Sequence, residues 1–237
     1  MTERLYERDA YLEETDAAVV AVHDGGIELD RTVFYARGGG QPGDSGVLMA
    51  PDGAEVRIVD TVKGEASAVL HVPAPGSDLP ALAPGTRVRA RIDWARRHRH
   101  MRMHTCLHLL CALVDAPVTG GNLTAEKGRL DFDLPEAGID KDALTRALNE
   151  LIAADTATAL EWITDEALAA QPELVKTMSV QPPTGTGTVR LLSIPGVDLQ
   201  PCGGTHVART GEIGQVRVSK IEKKSRLNRR ISVVFEG

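Results

Sequence analysis

Aromatic residues are scarce in this 237-residue chain, at 3%, which leaves little material for binding nucleic acid by stacking bases on rings. Cysteine is scarce too. Only Cys106, Cys111 and Cys202 occur, and an odd, low count at irregular spacing argues against a disulfide framework and for a reducing compartment. No apolar run approaches the ~20 residues that a bilayer span requires. The N-terminal stretch MTERLYERDAYLEE is charged where a signal peptide needs an apolar centre, so a cytoplasmic protein without a membrane partner is expected. Excess positive charge is also missing: the net charge of -6 speaks against a general nucleic-acid binder. What is present, 42% hydrophobic and 25% charged residues, is ordinary for a globular protein of one large domain or two modest ones.

Charge is nevertheless unevenly spread. Seven arginines lie between Arg87 and Arg102, with His98 and His100 interleaved, and six lysines and arginines lie between Lys220 and Arg230. Each run alone reads most simply as a solvated face. Two in an acidic chain favour a local phosphate-binding surface.

Residues 1 to about 92 read as short strands separated by turns. Ala17 to Val22 is an apolar run ended by Asp24-Gly25-Gly26, Glu55 to Val62 alternates behind a Pro51-Asp52-Gly53 turn, and Arg87 to Ile92 alternates strictly. Pro73 to Gly85, with four prolines and two glycines, reads as a loop. Character changes near Asp93. Met103, Leu107, Leu110 and Val114 recur at helical spacing, predicting a helix from Arg96 to Val114. Strands are expected over Gly128 to Leu134, Thr158 to Ile163 and Val189 to Ile194. A helix capped by Asp140 and a short one ended by Pro172 fall between them. Gln215 to Ile221 and Arg230 to Phe235 should pair across a basic connection. The expected fold class is α+β: an N-terminal small β-barrel domain over residues 1–92, then an α+β domain over residues 93–237 with a mainly antiparallel sheet and a metal-bearing helix.

The strongest chemical signal is His104-Thr105-Cys106-Leu107-His108. On a helix, positions i and i+4 lie one above the other, so both imidazoles can reach one ion. An HxxxH alone fits two unrelated histidines equally well. Pro201-Cys202-Gly203-Gly204-Thr205-His206 changes the balance, because a cysteine and a histidine four apart with two glycines between suit a tight turn that presents two ligands. Three imidazoles and a thiolate make a set suited to zinc. A metalloprotease of the HExxH type is set aside, since Thr105 stands where its general-base glutamate must be. Cys106 and Cys111 read as small core fillers, not nucleophiles.

A second signal is FYARGGGQPGDSG, from Phe34 to Gly46, whose five glycines allow close approach to a ligand or another backbone. Gln41 would give this loop a polar tip. A plain flexible connection is equally compatible. A Walker phosphate loop and a dinucleotide fingerprint are not, because no GK[ST] follows and the strand-to-helix context is missing.

HTCLHLL, the stretch CGGTHVARTGEIG from Cys202 to Gly214, and FYARGGGQPGD together resemble the editing half of alanyl-tRNA synthetase. More closely, they resemble its free-standing relatives, the AlaX trans-editing proteins. The size and the glycine–glutamine loop look like the medium-length members, and the motifs occur in the family's order over most of the chain. The resemblance implies a zinc ion held by His104, His108, Cys202 and His206. It also implies hydrolysis of the ester joining a mischarged amino acid, serine foremost, to alanine tRNA, without ATP or a charging apparatus. A threonine hydroxyl that recognises serine is implied as well, with Thr119 the first candidate and Thr124 the second, both in a Val118 to Ala125 segment read as a loop. Gln41 is expected to close over the site or to touch the tRNA acceptor end, while the basic stretches hold phosphates in a salt-sensitive way. The ion can activate water, polarise the ester carbonyl or grip the substrate amino group. Four protein ligands close a zinc site, where catalytic zinc keeps a position open. That leaves a zinc-stabilised tRNA-binding module without activity as the competing reading, and a generic small-ester metallohydrolase as a weaker one. Glycine removal and oligomeric state stay open at this stage.

Overall fold

The computed structural model describes residues 1–77, 82–114, 116–134, 138–178 and 187–236, and sheet predominates over helix. The chain divides into two compact units, Met1–His98 and Arg99–Gly237.

In the first unit six strands close into an antiparallel barrel: β1 (Glu14–His23), β2 (Gly26–Leu29), β3 (Gly46–Met49), β4 (Glu55–Lys63), β5 (Val69–Pro73) and β6 (Arg87–Ile92). Their order around the barrel is β1-β2-β5-β4-β3-β6. Period-two alternation explains the closure: β6 turns Val88, Ala90 and Ile92 inward and Arg87, Arg89 and Arg91 outward. Val19, Ile27, Leu29, Phe34, Leu48 and Ile58 complete the core. The sequence does not signal β2, β3 or β5, because each is too short to show its alternation. The loop expected from Pro73 to Gly85 begins later, since Pro73 ends β5, and residues 78–81 of it lie outside the described residues.

The glycine-rich segment runs into the barrel wall. Gly39 and Gly40 take φ of 56° and 80°, the left-handed region that glycine enters without penalty. A Cβ at Gly43 would collide with the Thr61 carbonyl, and one at Gly46 with the Arg91 carbonyl. Gln41 is not an exposed tip. It is 1% exposed, and its main chain exchanges hydrogen bonds with Gly38 at 2.9 and 3.2 Å. Asp44 then points inward and accepts the Tyr35 N–H at 2.7 Å and Arg97 Nε at 2.9 Å. Arg97 also donates to the carbonyls of Ala10 at 3.0 Å and Val33 at 2.7 Å.

Arg97 is 0% exposed and therefore does not belong to a phosphate surface, which corrects part of the basic-run reading. Arg89 is also engaged, by Asp16 at 3.1 Å and Glu14 at 3.7 Å.

His71 is buried in the barrel. Its Nδ1 donates to the Ile27 carbonyl at 2.9 Å, and Nε2 accepts from the Thr32 hydroxyl at 2.7 Å, which in turn accepts the Phe34 N–H at 3.0 Å. Desolvation pushes the imidazole down to about 4. The unfolded chain therefore binds a proton below about 6.5 that the folded chain takes up only near 4. Stability from this site is fully present above that upper value and is lost as pH falls through the window. Urea midpoints of the native chain and His71→Gln should accordingly converge between pH 6.5 and 4, by up to about 3 kcal/mol. A pH-independent gap would show that His71 keeps an ordinary value.

Helix α1 (Trp94–Leu113) starts in the first unit, where the Asp93 carboxylate caps it by accepting the Arg96 N–H at 3.1 Å. The second unit continues with β7 (Val118–Leu123), β8 (Lys127–Asp133), α2 (Lys141–Ala153), β9 (Ala159–Thr164), α3 (Asp165–Ala169), β10 (Thr188–Ile194), β11 (Asp198–Pro201), β12 (Val216–Lys223) and β13 (Asn228–Phe235). Two antiparallel sheets form, in the orders β12-β13-β8-β7 and β9-β10-β11. From Met103 to Cys111 every residue of α1 is buried, including the polar His104, Thr105 and His108. Asp140 caps α2 by accepting from Asp142 and Ala143, and Asn149 ties α2 to both main-chain groups of Val216 at 2.7 and 3.0 Å.

Val118 to Ala125 is not a loop. Its first six residues are β7, whose glycines pair with Leu130 and Asp131 of β8. The second basic run is partly neutralised: Glu222 holds Lys220 and Lys224 at 2.9 and 3.3 Å, and Asp131 holds Arg230 at 2.7 Å.

Candidate metal centre

One turn of α1 separates His104 from His108, and their rings lie 5.4 Å apart. Cys202 and His206 come from the segment just after β11, which brings all four ligand atoms within 4.8 Å of one another. Cys202 Sγ stands 3.6 Å from His104 Nε2 and 3.1 Å from His206 Nε2. The turn is shaped by hydrogen bonds more than by glycine freedom. Gly204 N–H points at the sulfur at 3.4 Å, and Arg190 of β10 donates to the Cys202 carbonyl at 2.9 Å and to that of Gly204. Gly203 itself has neither a left-handed φ nor a neighbour that a Cβ would meet, so the expected steric reason for that glycine is absent.

His108 and His206 are each oriented by a second contact. His108 Nδ1 meets Asp198 Oδ2 at 2.9 Å, leaving Nε2 for the cluster, the carboxylate–histidine arrangement typical of metal ligands. Asp198 is held in turn by Lys176 at 2.7 Å and Gln200 at 2.6 Å. His206 Nδ1 lies 3.2 Å from Thr105 Oγ1, a hydroxyl that donates to the Met101 carbonyl at 3.0 Å.

Burial alone would raise the Cys202 thiol, but the imidazoles of His104, His206 and His108 overcome it and hold the thiol well below its ordinary value. Burial likewise opposes ionisation of Asp198, and the His108, Lys176 and Gln200 hydrogen bonds outweigh it, so the carboxyl stays low. Cys106 behaves oppositely: with desolvation uncompensated, its thiol is pushed up to about 12, the mark of an inert core filler. A deprotonated thiolate, three buried imidazole nitrogens and an anionic orienting carboxylate fit a divalent borderline-soft cation such as zinc.

The remaining candidates are held by their own hydrogen bonds. Thr119, on β7, donates its hydroxyl to the Asp131 carbonyl at 3.1 Å and accepts from Asn228 Nδ2 at 2.7 Å. Thr124 occupies the exposed β7–β8 turn, where it donates to Glu126 at 2.8 Å and accepts the N–H groups of Glu126 and Lys127, both at 3.2 Å. Gln41 belongs to the first unit. Sequence reasoning did not find Asp198 or Arg190, which reach the centre through sheet pairing, or Lys176, which reaches it by its bond to Asp198. Thr105 lies inside the HTCLH motif, and only the folded chain brings its hydroxyl to His206.

Residues 189–232, which include Cys202 and His206, match the family described as threonyl and alanyl tRNA synthetase second additional domain. Residues 9–96 match tRNA synthetases class II (A). The chain is 38% identical to the alanyl-tRNA editing protein AlaX-M of Methanosarcina acetivorans over 98% of both chains. It is 34% identical to AlaX-M of Saccharolobus solfataricus, again over 98% of both. Against the alanyl-tRNA editing protein AlaX-L of Pyrococcus horikoshii the identity is 32%, over 95% of this chain and 56% of that one.

Proposed function

The chain belongs to the AlaX family of alanyl-tRNA editing proteins, and from that membership we propose that it is a hydrolase that removes wrongly attached serine from alanine tRNA. The observation that carries the proposal is the convergence of His104, His108, Cys202 and His206 within 4.8 Å. In this reading residues 1–92 are the barrel domain and residues 93–237 the zinc-binding deacylase domain.

Asp198 holds the His108 Nδ1 proton and directs Nε2 at the cluster, Thr105 does the like for His206, and the low thiol of Cys202 supplies the anionic ligand. Bound by these four, zinc supplies a Lewis acid able to polarise an ester carbonyl or to acidify water. Cys202 is the one ligand not fully buried, so substrate approach is assigned to its side.

Serine selectivity follows from a general asymmetry. A pocket for alanine cannot strongly reject an added hydroxyl, whereas a site that bonds the hydroxyl leaves its own polar group unpaired when alanine enters. A threonine oxygen has two lone pairs. Thr124 spends both on N–H groups, while Thr119 spends one on Asn228 and keeps one to accept from serine. Thr119 therefore remains the first candidate. Gln41 contributes at the acceptor end only if its loop turns the amide outward.

The test is deacylation of alanine tRNA charged separately with serine and with alanine. Serine should be lost faster by about 10²-fold or more. The competing reading, a zinc-stabilised tRNA-binding module, draws on the closed four-ligand set. It would be established by tRNA binding with both esters intact.

A further inference from the structure

Strand β9 is the edge of its sheet, and all six of its residues keep some solvent exposure. Leu160 is 38% and Trp162 52% exposed. The register places Leu160 opposite Leu192, Trp162 opposite Arg190, Leu192 opposite Gln200 and Ile194 opposite Asp198. Directly opposed residues project from the same face of a sheet. That face is the one facing the metal centre, since Asp198 bonds His108 and Arg190 bonds the carbonyls of Cys202 and Gly204. Trp162 thus stands two strand spacings, ~10 Å, from Cys202.

Most other aromatic rings are engaged. Tyr6, Phe34, Tyr35 and Phe132 are buried, Phe235 lies beneath Arg102, and Tyr11 and Trp94 pack on each other. Trp162 has no such cover among the described residues. Among the described residues nothing pairs with this edge, and a half-exposed tryptophan on such an edge is an aggregation liability that proteins ordinarily blunt with charge, which calls for an occupant.

We propose that Trp162 is the stacking platform for an unpaired base at the acceptor end of the tRNA whose ester lies at the metal centre; this rests on the editing reading above. The ester sits on the terminal ribose, so the terminal base and its neighbour are carried one or two sugar widths from the hydrolysed bond, the separation at which Trp162 stands. Stacking needs only a π-face, is indifferent to sequence and is suited to single strands. The tryptophan positions substrate and takes no part in bond cleavage.

Two measurements test this. In a Trp94→Phe background Trp162 is the single tryptophan, since the chain has two, and its fluorescence should be quenched by uncharged alanine tRNA but not by the same tRNA shortened past its unpaired 3′ nucleotides. In steady state, Trp162→Ala should raise KM on the order of 10-fold with kcat within about twofold, and Trp162→Phe should restore KM. An unchanged KM, or equal quenching by the shortened tRNA, overturns the platform while leaving the editing reading intact. A blue-shifted emission that red-shifts on dilution would give the surface to a second copy instead and also overturns it. If the native protein deacylates nothing, the editing reading fails alone, because quenching by uncharged tRNA needs no turnover and still decides the platform.

Discussion

Purified His104→Ala should retain no stoichiometric metal and should deacylate mischarged alanine tRNA on the order of 10³-fold more slowly than the native chain, the rate equivalent of several kcal/mol of Lewis-acid stabilisation. The three other residues of the cluster, Cys202, His108 and His206, stay on α1 and the segment after β11. They no longer make the closed set that holds zinc tightly. Asp198→Asn should produce a graded version of the same defect. The carboxylate that orients His108 and accepts from Lys176 becomes neutral, and loss of such a partner typically costs 10–100-fold in metal affinity. Metal content by elemental analysis, a competition chelator and single-turnover deacylation read the series. A His104→Ala protein that is metal-free yet fully active would remove the metal from the mechanism. Collapse of folding together with activity would favour the zinc-stabilised binding module.

Asp44→Asn should destabilise the barrel unit by about 3–5 kcal/mol, because it leaves the Arg97 guanidinium buried without its counter-charge. Both side chains are almost wholly buried, at 0% and 1% exposure. Asp44 also bonds the Tyr35 N–H, and its carbonyl accepts from the Thr61 hydroxyl at 2.8 Å. The pair therefore pins the end of the glycine-rich segment to the start of α1. Replacing both partners by apolar residues, Asp44→Val with Arg97→Met, should cost less than the sum of the single changes, since no charge is then stranded. Urea midpoints of the two single variants and the double variant measure the coupling. Additive losses, or an Asp44→Asn cost below about 1 kcal/mol, would mean that the pair is effectively solvated.

The four clustered residues, His104, His108, Cys202 and His206, were legible because their pattern is local. An i, i+4 histidine pair and a cysteine and histidine four apart are patterns within single segments, and helix geometry and donor softness say what each can bind. Strands β1, β4 and β6, helix α1 and the Asp140 cap were legible for the same reason: periodicity and caps are properties of neighbouring residues. The glycine-rich segment marks the limit. Its composition shows that the backbone comes close to something, and only the closed barrel shows that the something is the Thr61 and Arg91 carbonyls.

What the sequence by itself determined is the family, the four side chains that come together as a cluster able to hold a metal, and the α+β character, all carried by short-range pattern. What only the tertiary structure decided is which charges and hydroxyls have partners. Arg97 passes from a basic run into a buried pair with Asp44, and Lys220, Lys224 and Arg230 are taken up by Glu222 and Asp131. Asp198 becomes the residue that aims His108, and Trp162 acquires a place on the metal-facing side of a sheet edge. The outcomes for the strand residues Asp131, Asp198, Lys220, Glu222, Arg230 and Trp162 depend on strand register, set by pairing residues far apart in the chain, where a shift of one position would turn these side chains to the opposite face.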